Sequence, residues 1–352
     1  MPAQRMRSVI PPYMLRALLT RYAPQRDCAL HTLNHVQSLL GNKPLRSPTE
    51  KNARAGERSA ISTTPERHPT ARQTGAQGGA AQQPRRAVDE AYDHLGVTYD
   101  FFWQAYRRNS VDNKGLPLVQ RALRQGLPEQ LSGTASRWCS ETATARSSTV
   151  SPSPSTLVGH ELTHGSDRER SRLIYYQQSG ALNESLSDVF GSLVLQFHLQ
   201  QTADKADWLI GAGLLAKGIK GKGLRSMSAF GTAYDDPLLG KDPQPASMKD
   251  YIGTKEDNGG VHLNSGIPNR AFYLAATVLG GFAGKKPVTS GMTRCATKRC
   301  RKTPTSDHLR PRHGETRAGL RTKRGDKVQQ AWASGWQWSN ETAADAQSGY
   351  GH

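Results

Sequence analysis

Apolar positions recur at helical spacing along only part of the chain, and that pattern divides it into blocks. Leu182, Leu186, Val189, Phe190, Leu193 and Val194 fall three and four apart and predict a long helix opening near Gly180. Ile267, Ala271, Leu274 and Val278 repeat in the same way and predict a second helix within 263–283. Near the N-terminus Leu30, Leu33, Val36, Leu39 and Leu40 do so again, with Gly41 placed to end the helix. Residues 11–42 therefore read as a small helical unit. From 87 to 118 the chain turns apolar and aromatic, with Tyr92, Leu95, Tyr99, Phe101, Phe102, Trp103 and Tyr106.

Other stretches carry no such pattern. Residues 51–86 are rich in Ala, Arg, Gln, Thr, Gly and Pro, hold almost no large apolar residue, and read as a disordered linker. Residues 120–156 show no apolar alternation of the kind a half-buried strand needs. Residues 285–326 are strongly basic and aperiodic and are expected to be disordered. The organisation expected is thus a unit over 1–50, a linker over 51–86, a first lobe over 87–165 and a helical lobe over 166–352. A chain of 352 residues is long enough for two lobes with a cleft between them.

Chemistry concentrates at His160-Glu161-Leu162-Thr163-His164. On a helix, positions four apart share one face, so both imidazoles can reach one metal ion. Two neutral histidines suit zinc, and a catalytic zinc wants a third protein ligand and one open position. Glu161 projects beside that position, where a carboxylate can take a proton from water. The predicted helix after Gly180 adds Glu184 and Asp188, four apart on one face. One carboxylate can bind metal while the other accepts the spare N–H of a ligand histidine. The plainer alternative for this pair is first-turn acids favoured by the helix dipole.

Beyond the histidine pair, the segment GALNESLSDVFGSL begins sixteen residues after His164, and Asp257-Asn258-Gly259-Gly260-Val261-His262-Leu263-Asn264-Ser265-Gly266 follows. With these, the chain resembles the thermolysin-type zinc metalloproteases. EAYDHLGVTYDFFWQAYRRNSVDNKGLPL and Pro11-Pro12-Tyr13-Met14-Leu15 look closest to the protealysin-like branch. The resemblance implies an α+β, two-lobed fold, with a β-rich N-terminal lobe, a mainly helical C-terminal lobe and zinc in the cleft. It implies that His160, His164 and Glu184 bind zinc and that Glu161 is the general base. Asp188 would support His160, and Asn183 would support His164. Tyr175 and His262 would stabilise the oxyanion, with Asp257 orienting His262. Arg225 would bind the substrate carbonyl, and Leu224 would line the pocket for a bulky apolar residue after the scissile bond. Residues 1–50 would be a short propeptide, and peptide or protein substrates and that propeptide would be the partners.

The resemblance is interrupted. The family's substrate-binding edge strand, with its Asn-Ala-Phe/Tyr-Trp motif, has no counterpart in 120–156. Residues 166–172 and 288–326 also depart from the pattern, before Lys327–Trp332 rejoins it. Out-of-frame reading of GC-rich DNA yields Arg, Ala, Ser, Thr and Pro, which is the composition of these segments, and they read as frame-shifted. The family's calcium cluster is not supported, because Thr156, Leu195 and Leu209 stand at carboxylate positions and Asp207 alone is weak.

A net charge of +18 raises a rival reading, binding to nucleic acid. Its basic runs, such as Lys298–Lys302, have few aromatics to stack bases, so no specific nucleic acid is expected. Another alternative is an inactive remnant that keeps zinc but has lost the cleft. Cys28, Cys139, Cys295 and Cys300 form no paired CxxC pattern, although Cys295 and Cys300 could pair. No apolar run reaches the length of a membrane span. No conventional secretory signal is visible in the first twenty residues, while the resemblance implies secretion; a cytoplasmic location stays open.

Overall fold

In a computed structural model of the chain, the described residues are 11–21, 58–63, 85–110, 118–123, 130–134, 137–141, 155–170, 173–215 and 218–285. The helical elements are α1 (Pro12–Arg21), α2 (Arg85–Tyr106), α3 (Ser155–Arg170), α4 (Gln177–His198), α5 (Asp257–Asn264) and α6 (Gly266–Leu279).

α4 is the axis of the fold. Every residue from Ser179 to Val194 is buried, so this helix must be surrounded on all sides. Its apolar positions Leu182, Leu186, Val189, Leu193 and Val194 enter one core with Leu157 of α3 and with Phe272, Ala275 and Ala276 of α6. All six apolar positions of the predicted stripe are buried. Each leucine fully withdrawn from water contributes about 1.5–3 kcal/mol. The aromatic block falls on α2, where Phe101 and Phe102 meet Phe190 of α4 at ring-centroid distances of 6.5 and 5.6 Å.

α3 and α4 pack at unusually short range, because glycines face each other where they cross. A Cβ on Gly159 would stand 3.0 Å from the Cα of Gly191, and one on Gly191 would stand 3.2 Å from the backbone nitrogen of His160. This contact brings the polar faces of the two helices together. His160, Glu161 and His164 lie on one of these faces, and Asn183, Glu184, Ser187 and Asp188 on the other.

The strands are short. β1 (Arg58–Thr63) pairs antiparallel with β2 (Leu118–Leu123), with Arg58 opposite Leu123 and Thr63 opposite Leu118. β3 (Gln130–Thr134) pairs antiparallel with β4 (Arg137–Glu141). These pairings differ from the expectation that 51–86 is linker throughout and that 120–156 holds no strand. Backbone pairing joins these segments, long-range for β1 with β2 and between sequence neighbours for β3 with β4, and apolar alternation does not report it. β5 (Leu209–Ile210) pairs with β6 (Arg225–Ser226), and β7 (Asp235–Asp236) with β8 (Gly240–Lys241). The Gly211 amide donates to Thr156 Oγ1 at 3.2 Å and so ties the end of β5 to the first turn of α3.

α6 corrects a second expectation. Ile267 and Ala271 are buried as predicted, but Leu274 is only half-buried and Val278 is exposed. The inward face runs through Ala271, Phe272, Ala275 and Ala276 instead. At the N-terminus Pro12 opens α1, where a missing N–H costs nothing. Met14 and Leu15 of α1 are buried, and Met14 joins the main core. The predicted apolar stripe over 30–41, the linker termini, the segment 288–326, Lys327–Trp332, Cys295 and Cys300 lie outside the described residues.

Candidate metal and active site

The helix crossing converges three ligand atoms. His160 Nε2 and His164 Nε2 stand 3.0 Å apart, and each is 3.4 Å from a carboxylate oxygen of Glu184. These atoms all lie within 4.8 Å of one another, and all three residues are buried. Donors around a tetrahedral zinc with bonds of 2.0–2.1 Å are separated by about 3.3 Å, so the set fits that ion. It is the one such group of His, Cys, Asp and Glu among the described residues.

The outward nitrogens are held as metal binding requires. His160 Nδ1 donates to Asp188 Oδ1 at 2.8 Å. His164 Nδ1 donates to Asn183 Oδ1 at 2.9 Å and also meets Ser187 Oγ at 2.9 Å. With Nδ1 as donor, each Nε2 lone pair is turned toward the common point. Without metal the cluster is strongly coupled. Burial pushes His160 down, but its hydrogen bonds to Asp188 and Glu184 outweigh that and raise it to about 9. Burial likewise opposes ionisation of Glu184, yet the nearby His262, His164 and His160 hold its carboxyl well below the usual range.

Asp188 is more occupied than the sequence suggests. Arg225 donates to it twice, from Nε at 2.9 Å and from Nη2 at 2.7 Å. Asn269 of α6 adds a fourth donor at 2.9 Å. Burial works against the charge, but Arg225 and His160 prevail and keep Asp188 ionised far below the ordinary range. Arg225 reaches this position because β6 is registered against β5, with Arg225 opposite Ile210. Its neighbour Leu224 is buried and donates its amide to Ile210 O at 2.8 Å.

Tyr175 and His262 close the other side. Tyr175 lies just before α4, and its hydroxyl donates to Glu184 and stands 3.5 Å from His262 Nε2. Four consecutive residues before His262 are left-handed, Asp257 (φ 52°), Asn258 (φ 52°), Gly259 (φ 81°) and Gly260 (φ 75°). Asp and Asn tolerate this conformation better than other side-chain-bearing residues, and glycine tolerates it best. The turn curls Asp257 back onto the helix it starts. Its carboxylate accepts the His262 backbone N–H at 2.8 Å and His262 Nδ1–H at 2.6 Å. Burial lowers His262, but Asp257 and then Glu184 reverse this and raise it to about 9. Glu161 is buried on α3 between the two histidines.

All the predicted site residues therefore gather in one region. Sequence reading missed three more. Ser187 contacts His164, Asn269 donates to Asp188, and Gln244 Nε2 donates to His262 O at 2.7 Å. For Asn269 a signal existed, an amide on the same helical face as Phe272 and Ala276. Ser187 stands one turn beyond Asn183 on α4, whereas Gln244 comes from an irregular segment with no periodicity to mark it.

The N-terminal segment reaches the same region. Tyr13 is half-buried, with its hydroxyl withdrawn near Tyr234, Arg225 and Asp242, and that burial pushes the hydroxyl well above the ordinary tyrosine value. Arg16 Nη1 pairs with Glu256 at 2.5 Å, just before the left-handed turn.

Comparison with known proteins agrees with this arrangement. Residues 171–334 match the thermolysin metallopeptidase alpha-helical domain, and residues 7–48 match the protealysin propeptide. The chain is 99% identical to an extracellular minor metalloprotease of Serratia marcescens (strain ATCC 21074 / E-15) over 352 residues, all of both chains. That match runs through the aperiodic segments as well. It is 50% identical to an extracellular metalloprotease of Pectobacterium carotovorum subsp. carotovorum over 294 residues, 79% of this chain and 81% of that one. A solved structure, the precursor of protealysin, a metalloproteinase from Serratia proteamaculans, superposes with a TM-score of 0.74 at 51% identity, covering 93% of this chain and 98% of the other. Among the described residues no helix is long and apolar enough to cross a membrane. With a helical lobe of this kind, a histidine–glutamate cluster at its centre and relatives of this extent, the chain belongs to the thermolysin family of metallopeptidases.

Proposed function

We propose that the chain is a secreted zinc endopeptidase made as a zymogen, in which His160, His164 and Glu184 hold the ion. The observation that carries this reading is the meeting of three buried donor atoms at 3.0–3.4 Å, near the spacing that a tetrahedral zinc requires. When bound, zinc supplies a Lewis acid that polarises a carbonyl and makes water acidic. The chain's own residues do the rest. Glu161 takes a proton from the attacking water and delivers it to the leaving amine. Tyr175 and His262 point hydrogen-bond donors at the oxygen on which charge develops, and Asp257 keeps His262 oriented and protonated. Arg225, fixed by Asp188, binds a substrate carbonyl, and Leu224 lines the pocket for a bulky apolar residue after the scissile bond. Asn183 and Asp188 set the tautomers of the two zinc-binding histidines.

The N-terminal segment serves as the propeptide in this reading. Tyr13, Met14 and Leu15 pack beside Arg225 and the core, where they obstruct substrate, and Arg16 anchors them to Glu256. Cleavage in the polar residues that follow releases the segment. The secreted location follows the names of the relatives, which are called extracellular.

Two variants of the full chain test the assignment. Glu161→Gln is expected to keep one zinc per chain and lose peptidase activity by at least a hundredfold, since general base catalysis contributes about 10²–10⁴. Glu184→Gln is expected to lose most of its zinc at the same free concentration. Equal metal loss in both variants would show the two roles to be misassigned.

A further inference from the structure

Asp188 is a planar carboxylate whose two oxygens take four N–H donors. Oδ1 accepts from His160 Nδ1 at 2.8 Å and Arg225 Nη2 at 2.7 Å. Oδ2 accepts from Arg225 Nε and Asn269 Nδ2, both at 2.9 Å. A carboxylate offers about four lone-pair directions, so Asn269 completes the set.

Asn269 does not belong where it is on helix or core grounds. It sits in α6 with none of its surface exposed, three and seven residues before the buried Phe272 and Ala276. Asparagine is a poor interior helix residue, because its side chain competes for backbone partners. A buried amide is also costly unless both of its ends are satisfied. Here only one end is, since Asn269 Oδ1 is buried and meets no hydrogen-bond partner among the described residues. The amide is therefore oriented by Asp188 alone. Turned over, it would set an oxygen against a carboxylate. An apolar residue of the same volume would fill this place in the core without that cost.

We infer that Asn269 is a positioning residue, which locks Asp188 in the one orientation that serves the metal ligand His160 and the substrate-binding Arg225 together. The inference rests on the roles assigned to His160 and Arg225 above. Without Asn269, Oδ2 keeps only the Arg225 Nε contact. The carboxylate is then free to rotate toward the guanidinium, and the shared geometry at Oδ1 loosens. One amide thus ties the α5–α6 unit, which carries His262, to the α3–α4 pair, which carries the ligands. A residue of this kind affects metal binding and substrate binding in a single substitution, although it touches neither.

The test uses the full chain with Asn269→Leu, which keeps the branched outline and the number of heavy atoms and removes the donor, and Asp188→Asn as a control. Zinc affinity is measured by chelator competition, KM and kcat on a short peptide, and the absorption spectrum after cobalt(II) loading. Asn269→Leu is expected to weaken zinc about tenfold or more, as loss of outer partners of ligand histidines does. It should also raise KM several-fold and shift the cobalt bands. Combined with Arg225→Met it should raise KM no further than Arg225→Met alone, because both act through Asp188. A variant that loses thermal stability but keeps zinc affinity, KM and cobalt bands would show a merely structural role and overturn the inference. If Asn269→Leu fails to fold, Asn269→Ser, whose hydroxyl stops short of Asp188, carries the same test with the same expected direction. Weakened zinc in Asp188→Asn with unchanged zinc in the Asn269 variants overturns this inference alone. Unchanged zinc in Asp188→Asn overturns the site reading beneath it as well.

Discussion

Substituting Gly191 with alanine tests how closely the two helices that carry the site must approach. Alanine is the better helix former by about 0.8–1 kcal/mol, so helix propensity alone predicts a stabilised protein. The packing predicts the reverse. The added Cβ would fall inside 3.0 Å of the Thr156 carbonyl oxygen, closer than real Cβ atoms come, and 3.2 Å from the His160 nitrogen. The obstacle is helix backbone, which cannot turn aside as a side chain can. Overpacking of a close-packed interior costs about 1–3 kcal/mol, which exceeds the propensity gain over most of that range. α3 must shift away from α4, and the shift acts on His160, a proposed ligand, at the point of contact. Thermal melts of the metal-free and zinc-loaded protein, with zinc titration, give the readout. Expected are a lower Tm, by about 2–4 °C for each kcal/mol lost, and a weaker zinc complex. A raised Tm with unchanged zinc affinity would refute the argument, because it would mean that the helices do not meet at these glycines.

Three further outcomes follow from the site. His160 and His262 are both raised from 6.5 to about 9 in the metal-free protein. Folding therefore gains from their protons fully below pH 6.5, and the gain disappears as pH rises through about 9. Urea midpoints of metal-free protein should fall across that window, while zinc affinity should rise across it because zinc displaces the His160 proton. Arg225→Met should destabilise by about 3–5 kcal/mol, since it leaves the buried Asp188 charge without its main counter-charge; chemical denaturation measures this. Leu186→Ala, at a position with no exposure, should cost about 2–5 kcal/mol in the same assay with zinc stoichiometry unchanged.

The site was legible in the sequence to the extent that its residues lie on regular helices. His160 with His164, and Glu184 with Asp188, are one turn apart, so their shared faces follow from helical geometry. The α4 stripe was legible for the same reason. On α6 the pattern points through Leu274 and Val278, because large residues dominate a hydrophobic pattern. The helix instead turns its small Ala275 and Ala276 inward, into the core it shares with α4. Asn269 is marked only as an amide on the buried face of α6, and its partner Asp188 is not; Gln244 and the pairing of Arg58–Thr63 with Leu118–Leu123 depend on contacts between distant parts of the chain, about which periodicity carries no information. The left-handed turn at Asp257–Gly260 was visible only as an Asp-Asn-Gly-Gly run. Its purpose, bending a carboxylate onto His262, became clear only from the backbone.

X-ray absorption at the zinc edge of the loaded full chain tests the central claim most directly. The account predicts one zinc per chain with a shell of nitrogen and oxygen at about 2.0–2.1 Å, including two imidazoles. It further predicts loss of one imidazole signature in His164→Ala. A shell containing sulfur at about 2.3 Å, which would assign the metal to cysteines, or failure to take up zinc at all, would contradict it.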